Sequence, residues 1–269
     1  MNHEDSVSFQ EKPAIAIVRL QGTIGMGSRG GPSLSDAGIG PVLERAFRRR
    51  KPLAVALAIN SPGGSPVQSS LIGARIRRLS EETKVPVYAF VEDMAASGGY
   101  WLASAADEIW ADESSVLGSI GVISAGFGFS ELIGRYGIER RVHTAGRSKS
   151  MMDPFRPETP EDVARVNQLL EPIHEAFKAQ IRKRRGSKLP EGRDLFTGEI
   201  WVGQQAVDLG LADGIGHLIP RMQALYGKDV RFLNYGQKVS MLRRFGLSAD
   251  DFIEAAERRT LTTQFGIGG

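Results

Sequence analysis

The sequence predicts an α/β fold in which a mostly parallel β-sheet is covered by helices on both faces. Three segments, residues 14–20, 53–59 and 85–91, are almost continuously apolar, which is typical of strands buried in a parallel sheet. Segments with helical spacing of apolar residues follow the second and third of these runs. With 41% hydrophobic residues and no cysteine among 269 residues, the chain can bury a sizeable core without disulfides.

The predicted elements follow one another in a simple order. A glycine-rich loop follows the first strand, and the turn Asn60-Ser61-Pro62-Gly63-Gly64 separates the second strand from a helix over residues 66–79. The third strand leads into a helix of small residues that begins near Ser97. Further on, Thr159 is a candidate N-cap and Pro160 occupies the first helical position. Apolar residues then recur at helical spacing up to residue 181, which predicts one long amphipathic helix.

Composition and charge exclude several classes of function. The net charge is +3, but the basic runs at residues 48–51 and 182–185 lie at the ends of predicted helices, where cations complement the helix dipole. We therefore expect no nucleic-acid partner. The four histidines are scattered and cysteine is absent, so we expect neither a metal site nor a cofactor. No apolar run is long enough to span a bilayer, so membrane contact could only be peripheral. These features predict a cytoplasmic protein, which can also lie at a membrane surface.

Two glycine-containing turns end neighbouring strands of the predicted sheet. Ser97-Gly98-Gly99 follows the third strand, and Gly63-Gly64 follows the second. Because parallel strands end at the same sheet edge, these turns would place a serine hydroxyl beside free backbone N–H groups. This arrangement is typical of a nucleophile next to an oxyanion hole. In the alternative interpretation both turns are ordinary and Ser97 caps a helix.

A nucleophilic serine needs a general base, since its hydroxyl is a weak nucleophile at neutral pH. No histidine has a suggestive context, so a lysine is the next candidate, as in the Ser/Lys variants of the catalytic triad. Spacing and periodicity alone select none of the lysines in the chain.

Four ordered motifs resemble the signal peptide peptidase A (protease IV) family, whose fold is related to those of Clp protease and crotonase. The motifs are NSPGG, MAASGGYWLASAADEIWA, VLGSIGV and TAGRSKSMMDPF, and the resemblance extends over residues 14–216. It implies a Clp protease/crotonase-like fold with flanking helices and one long amphipathic helix. It also implies that Ser97 is the nucleophile, Lys149 the general base, and Ser119 the residue that orients the lysine. The N–H groups of Gly64 and Gly98 would form the oxyanion hole. Arg147 could supply a cation near the lysine, although we expect it to face solvent.

The resemblance implies a serine endopeptidase that cleaves peptides through an acyl-enzyme. Many relatives begin with a membrane anchor that this sequence does not contain, so soluble or unfolded peptides are better expected substrates than remnants of signal peptides. Two alternatives stay open, a catalytically idle peptide-binding scaffold and a crotonase-type acyl-CoA enzyme. The lysine base argues against the second, because enolate chemistry normally uses a carboxylate.

We expect the chain to contain three segments and to assemble into a homo-oligomer. We divide the chain into an N-terminal extension, 1–13, a peptidase domain, 14–227, and a C-terminal tail, 228–269. The chain has half the length of family members in which one half supplies the serine and the other the lysine. We therefore expect a closed homo-oligomeric ring in which Lys149 of one subunit serves Ser97 of its neighbour.

Overall fold

The computed structural model describes residues 13–25, 33–146 and 148–236. These residues form ten strands: β1 (Ala14–Gln21), β2 (Thr23–Ile24), β3 (Ser33–Leu34), β4 (Ala54–Ser61), β5 (Val87–Ala96), β6 (Glu108–Ala111), β7 (Val116–Gly118), β8 (Ile200–Val202), β9 (Gly214–Ile215) and β10 (Arg231–Tyr235). They also form seven α-helices: α1 (Asp36–Arg48), α2 (Pro66–Thr83), α3 (Gly98–Ser104), α4 (Ser130–Arg135), α5 (Pro160–Arg185), α6 (Gln204–Asp208) and α7 (Leu218–Tyr226). A 3-10 turn, Gly186–Lys188, follows α5.

One mostly parallel sheet organises the molecule. Its strands lie in the order β10-β1-β4-β5-β6-β9, and every neighbouring pair in this row is parallel. Strand β7 pairs in parallel with the end of β5, and β8 runs antiparallel to β7. Strands β2 and β3 form a small parallel pair of their own. The predicted α/β fold with a mostly parallel sheet is confirmed.

Apolar side chains cover both faces of the sheet. On β1, Val18 and Leu20 belong to a core shared with α1, α2, α3 and α5, whereas Ile15 and Ile17 belong to a second core that includes residues of α7. Successive residues of a strand point to opposite faces, so a strand buried on both sides must be apolar at nearly every position. This explains the continuous apolar runs of the sequence.

Strand β5 continues beyond its predicted end at residue 91. Ile59 pairs with Val91 and Ser61 with Ala95, so β5 advances from 91 to 95 while β4 advances only from 59 to 61. The extra residues form a bulge that contains the polar Glu92 and Asp93, and these two residues end the apolar pattern. Beyond the bulge β5 pairs with β7, which carries the strand on to Ala96.

Helix α5 begins as the sequence predicts, and its C-terminal half is anchored to α3. The Thr159 hydroxyl accepts a hydrogen bond from the Asp162 N–H at 3.2 Å, and Pro160 is the first helical residue. The ring of Phe177 stacks on that of Trp101 with centroids 5.0 Å apart. Arg184 donates hydrogen bonds to the carbonyl oxygens of Ser104 and Ala106, which caps the C-terminal end of α3.

An exposed segment separates β7 from α5. We call residues 121–159, which include α4 and of which residue 147 is not described, the arm. Most described residues of the arm are exposed, and many of them are large and apolar. The exposed apolar residues of the arm are Ile123, Phe127, Phe129, Leu132, Tyr136, Ile138, Met152 and Phe155. Leu169 in the N-terminal half of α5 is exposed as well.

The segment that we assigned to the C-terminal tail contributes a strand to the sheet. Within residues 228–269, β10 pairs in parallel with β1 at the sheet edge. Residues 237–269 of that tail and residues 1–12 of the predicted N-terminal extension lie outside the described residues. The domain boundaries stay predictions.

Candidate active site

Ser97 lies between the end of β5 and the first turn of α3, in a backbone conformation that is unusual for serine. Its φ is 51° and its ψ is −122°. Its N–H donates to the Gly118 carbonyl at 2.8 Å, and its own carbonyl accepts from the N–H groups of Tyr100 and Trp101. The Ser97 side chain occupies the N-cap position but makes no capping hydrogen bond. The hydroxyl is therefore not used to hold the helix.

Ser119 is placed next to Ser97 by the sheet. Ala96 of β5 is opposite Gly118 of β7, so the two serines follow directly after paired residues of parallel strands. Ser119 also has a positive φ, of 52°, and its N–H donates to the Glu199 carbonyl at 2.6 Å. After Ser119, the Ile120 carbonyl lies 3.3 Å from Nε2 of His174 on α5.

The turn after β4 is in direct contact with the serine turn. A Cβ built on Gly63 would lie 2.7 Å from the Gly98 nitrogen and 2.8 Å from the Ser97 Cβ, so only glycine fits there. Gly64 has a φ of 142°, and a Cβ on it would lie 2.1 Å from the Ile24 carbonyl oxygen. The prediction that the two turns meet at one sheet edge is therefore correct.

Two backbone N–H groups beside Ser97 have no internal acceptor. Within the described part of the chain, neither the Gly64 N–H nor the Gly98 N–H donates a hydrogen bond. Gly98 is buried, and buried backbone donors are normally paired, so its unpaired N–H next to Ser97 needs an explanation, whereas Gly64 lies at the surface. Donors in this position can accept an oxygen that becomes negatively charged during attack by the hydroxyl.

Two buried serines that the sequence interpretation did not single out support these turns. The Ser61 hydroxyl donates to the Gly22 carbonyl at 2.7 Å and accepts from the Gly63 N–H at 3.2 Å. The Ser69 hydroxyl donates to the Ser65 carbonyl, and a Cβ built on Gly98 would lie 2.3 Å from the Ser69 oxygen. Ser69 could have been found from its position on the apolar face of α2, three residues before the buried Ile72.

Lys149 lies apart from this group in the described structure. It is an exposed residue in a turn of the arm, where its N–H donates to the Gly146 carbonyl at 3.1 Å. In the described ranges its side chain makes no hydrogen bond or ion pair, with Ser97 and Ser119 or with any other residue. In the described part of a single chain, Lys149 therefore does not contact Ser97. Arg147 lies outside the described residues.

The turn that carries Lys149 is fixed by Asp153. The Asp153 carboxylate accepts hydrogen bonds from the Phe155 N–H at 3.0 Å and from Arg140 Nε at 3.2 Å. These two donors hold the pKa of Asp153 below its ordinary value. The Phe155 ring in turn lies 5.7 Å from that of Phe129, centroid to centroid, which joins the two ends of the arm.

Buried polar contacts hold α3 from behind. The Tyr100 hydroxyl donates to the Leu211 carbonyl at 2.9 Å, and burial raises the pKa of Tyr100. Arg185 is buried and bonds both the Gly210 carbonyl and the Asp213 carboxylate. These contacts fix α3 in place, and Ser97 lies at the N-terminal end of this helix.

The sequence profile described as peptidase family S49 matches residues 80–225. The chain belongs to peptidase family S49. This S49 chain is 50% identical, over 81% of its length, to the Na(+)/H(+) antiporter NhaA of Brucella melitensis biotype 1. It is 31% identical, over 76% of its length, to the chloroplastic serine protease SPPA of Arabidopsis thaliana. The S49 chain spans only 30% and 31% of these two proteins, respectively.

A solved structure shares the fold of the S49 chain. The 1510-N membrane-bound stomatin-specific protease superposes with a TM-score of 0.50 over 83% of this chain and 97% of that one, at 13% identity. The fold predicted from the motifs, and the resemblance to the signal peptide peptidase A family, are confirmed. In the part of the S49 chain that the structure describes, none of the helices has the length and apolar character needed to cross a membrane.

Proposed function

We propose that this chain is a serine endopeptidase in which Ser97 is the nucleophile and Lys149 the general base. The observation that carries the proposal is the Ser97 hydroxyl, which is held on a strained backbone. Among the described residues this hydroxyl has no hydrogen-bond partner, and neither do the neighbouring N–H groups of Gly64 and Gly98. Membership of peptidase family S49 supports peptide-bond hydrolysis as the reaction.

The proposed reaction proceeds through an acyl-enzyme. The neutral Lys149 amine takes the proton of the Ser97 hydroxyl as its Oγ attacks the scissile carbonyl carbon. The resulting oxyanion accepts hydrogen bonds from the Gly64 and Gly98 N–H groups, and Ser119 orients the lysine amine. Lys149 then gives its proton to the leaving amine, and the acyl group stays on Ser97. A water molecule, deprotonated by the lysine, hydrolyses this ester and restores both residues.

The proposed substrates are extended peptides, either soluble and unfolded segments or remnants of signal peptides. Glycines and alanines surround Ser97, so we propose a shallow site that accepts small or aliphatic side chains next to the scissile bond. A chain without cysteine suits a reducing compartment, and we propose that it acts in the cytoplasm, with peripheral contact at a membrane surface.

The active site is proposed to be shared between subunits of a closed homo-oligomer. Ser97 is half-buried at the edge of the sheet, whereas Lys149 is exposed on the arm, and the Lys149 side chain has no partner in the described part of its own chain. Several large apolar side chains of the arm are exposed, and clusters of such side chains are typical of protein interfaces. A repeated head-to-tail contact through the arm would deliver each lysine to a neighbouring serine.

Labelling with a fluorophosphonate probe, together with cleavage of a peptide library, tests the catalytic proposal. We expect wild type to be labelled and active, Ser97→Ala to be neither, and Lys149→Ala to be folded but inactive. The exposed Ser114 offers a matched control, because Ser114→Ala also removes a hydroxyl and should keep both properties. A wild-type protein that is not labelled would favour an idle peptide-binding scaffold. Retention on a CoA column without peptidase activity would favour an acyl-CoA enzyme.

Charge placed on the arm tests the assembly. Ile123 is 86% exposed, and Ile123→Glu should shift the oligomer to smaller species in light scattering and reduce activity in parallel. Leu225 on α7 is an exposed apolar residue outside the arm, and Leu225→Glu should leave the mass unchanged. An active wild-type monomer would overturn the shared site.

A further inference from the structure

Ser61 fixes the turn that contains Gly64 from inside the protein. Its side chain is fully buried at the end of β4. The hydroxyl has one proton, which it donates to the Gly22 carbonyl at 2.7 Å, so it must receive the 3.2 Å hydrogen bond from the Gly63 N–H as an acceptor. The hydroxyl therefore joins the end of β1 to the turn in a single orientation.

The hydrogen bonds of this turn leave one N–H free. The Gly63 N–H is taken by the Ser61 hydroxyl, and the Ser65 N–H donates to the Ile24 carbonyl at 2.7 Å. The Gly64 N–H between them has no acceptor within the described ranges. The Gly63 carbonyl belongs to the same peptide group as the Gly64 N–H and accepts a 2.8 Å hydrogen bond from the Ile24 N–H. This peptide plane is therefore held between two neighbours that are also hydrogen-bonded, and the direction of the Gly64 N–H is set.

Ser61 also contacts the serine turn through its main chain. A Cβ built on Gly99 would lie 2.4 Å from the Ser61 carbonyl oxygen, so the two segments touch at this point. One buried residue thus lies between the turn of Gly64 and the helix that begins after Ser97.

We propose that Ser61 is a positioning residue that aims the Gly64 N–H at the oxyanion of the substrate. This inference rests on the proposed function, because an oxyanion exists only if Ser97 attacks a carbonyl. Loss of the Ser61 hydroxyl leaves the Gly63 N–H and the Gly22 carbonyl without their buried partner. The turn is then held only by its two hydrogen bonds to Ile24 and shifts toward other partners. The Gly64 N–H then points away from the oxyanion, which weakens binding of the transition state and leaves binding of the substrate unchanged.

Steady-state kinetics of Ser61→Ala test the role. We expect kcat to fall by roughly 10- to 100-fold, somewhat less than removal of a whole oxyanion-hole donor, with KM within about twofold of wild type. The inhibition constant of a peptide aldehyde, whose adduct with Ser97 carries the same oxyanion, should rise by the factor by which kcat/KM falls. Ser61→Cys keeps a donor at the same position, in a slightly larger side chain that forms weaker hydrogen bonds, and should give an intermediate kcat.

Ser80 provides the matched control. It is also buried, and its hydroxyl donates to the Val85 carbonyl at 2.8 Å, away from the site. Ser80→Ala should lose stability as Ser61→Ala does but keep the kcat and aldehyde affinity of wild type. Ser61→Ala kinetics that match those of Ser80→Ala, or a change in KM alone, would overturn the proposal. If Ser61→Ala does not fold, a wild-type kcat for Ser61→Cys would overturn it instead.

The outcomes separate this inference from the proposed function. An active wild type that loses activity on Ser97→Ala but not on Ser61→Ala removes only the role of Ser61. A wild type that neither cleaves peptides nor reacts with the probe removes the proposed function, and the positioning role with it.

Discussion

The N–H of Ser97 donates a 2.8 Å hydrogen bond to the carbonyl of Gly118, the residue before Ser119. This bond extends the pairing of β5 and β7 by one step and brings the two serines of the candidate site side by side. Trp201 packs so closely on Gly118 that a Cβ there would lie 2.6 Å from its ring. The backbone at Gly118, just before Ser119, is therefore held by the hydrogen bond from Ser97 and by the ring of Trp201.

Inactive variants should complement each other when they are mixed. If Lys149 serves the Ser97 of a neighbour, a ring made of equal amounts of Ser97→Ala and Lys149→Ala subunits contains intact sites at about one quarter of its interfaces. We expect each variant to be inactive alone and the mixture, after dissociation and reassembly, to regain up to that fraction of the wild-type rate. Mixing without dissociation is the control. No recovery from reassembled rings would exclude a shared site.

Replacement of Ser97 by glycine should stabilise the fold relative to alanine. The positive φ of Ser97 is costly for any residue with a Cβ, whereas glycine adopts it readily. Both variants are expected to be inactive, with Ser97→Gly more stable than Ser97→Ala by about 1 kcal/mol in urea unfolding at equal protein concentration. At Ser114, whose φ is not positive, glycine should be no more stable than alanine. Equal stabilities at position 97 would show that its backbone is not strained.

Gly98 and Ser69 should be energetically coupled. A Cβ on Gly98 would lie 2.3 Å from the Ser69 hydroxyl oxygen, so Gly98→Ala should destabilise the fold by about 1–3 kcal/mol. Adding Ser69→Ala removes that oxygen and should recover much of the loss, which thermal or urea unfolding of all four combinations measures. Gly134 has open space around it, and Gly134→Ala should be nearly neutral. Strictly additive effects at 98 and 69 would contradict the predicted contact.

Asp213 should make the stability dependent on pH in the acid range. Burial alone would raise the pKa of Asp213, but hydrogen bonds from Arg185, Lys188 and the Ile109 N–H outweigh it and hold the pKa below its ordinary value. A lowered folded-state pKa stabilises the fold above the unfolded value, near 3.8, and this stabilisation is lost as pH falls through the folded value.

The variant Asp213→Asn tests this dependence. At pH 7 it should cost about 3 kcal/mol, because it leaves the buried Arg185 without its charged partner. The difference in free energy of unfolding from wild type should stay constant from about pH 8 to pH 5 and narrow below about pH 4. The exposed pair of Asp112 and His217 is the control, and Asp112→Asn should change stability much less. A difference that does not narrow in acid would refute the assigned role.

The sequence predicted the parts of the site that depend on strand order. Continuous apolar runs located β4 and β5, and the rule that parallel strands end together placed Ser97 beside Gly63 and Gly64. The pairing of β7 with β5 was not predicted, because β7 is short and pairs only beyond a bulge that contains charged residues. Lys149 was selected by family resemblance alone, since an exposed loop lysine has no periodicity to distinguish it. Ser61 was missed because a hydrogen bond between a buried hydroxyl and a turn leaves no pattern in the chain.

The glycine turns of the candidate site separate the residues proposed to act on the peptide bond from those that select among peptides. Gly63, Gly64, Gly98 and Gly99 have no room for a side chain, so apart from the Ser97 hydroxyl the surface proposed to meet the scissile bond consists of main-chain atoms. Main-chain atoms are the same in every amino acid and do not discriminate among peptides. In the proposed peptidase, the shallow site around Ser97 limits the size of the side chains next to the scissile bond, and any further preference comes from residues farther out, such as those of the arm. The range of accepted peptides can then be altered by exchanging those outer residues, while the way in which the bond is broken stays constant.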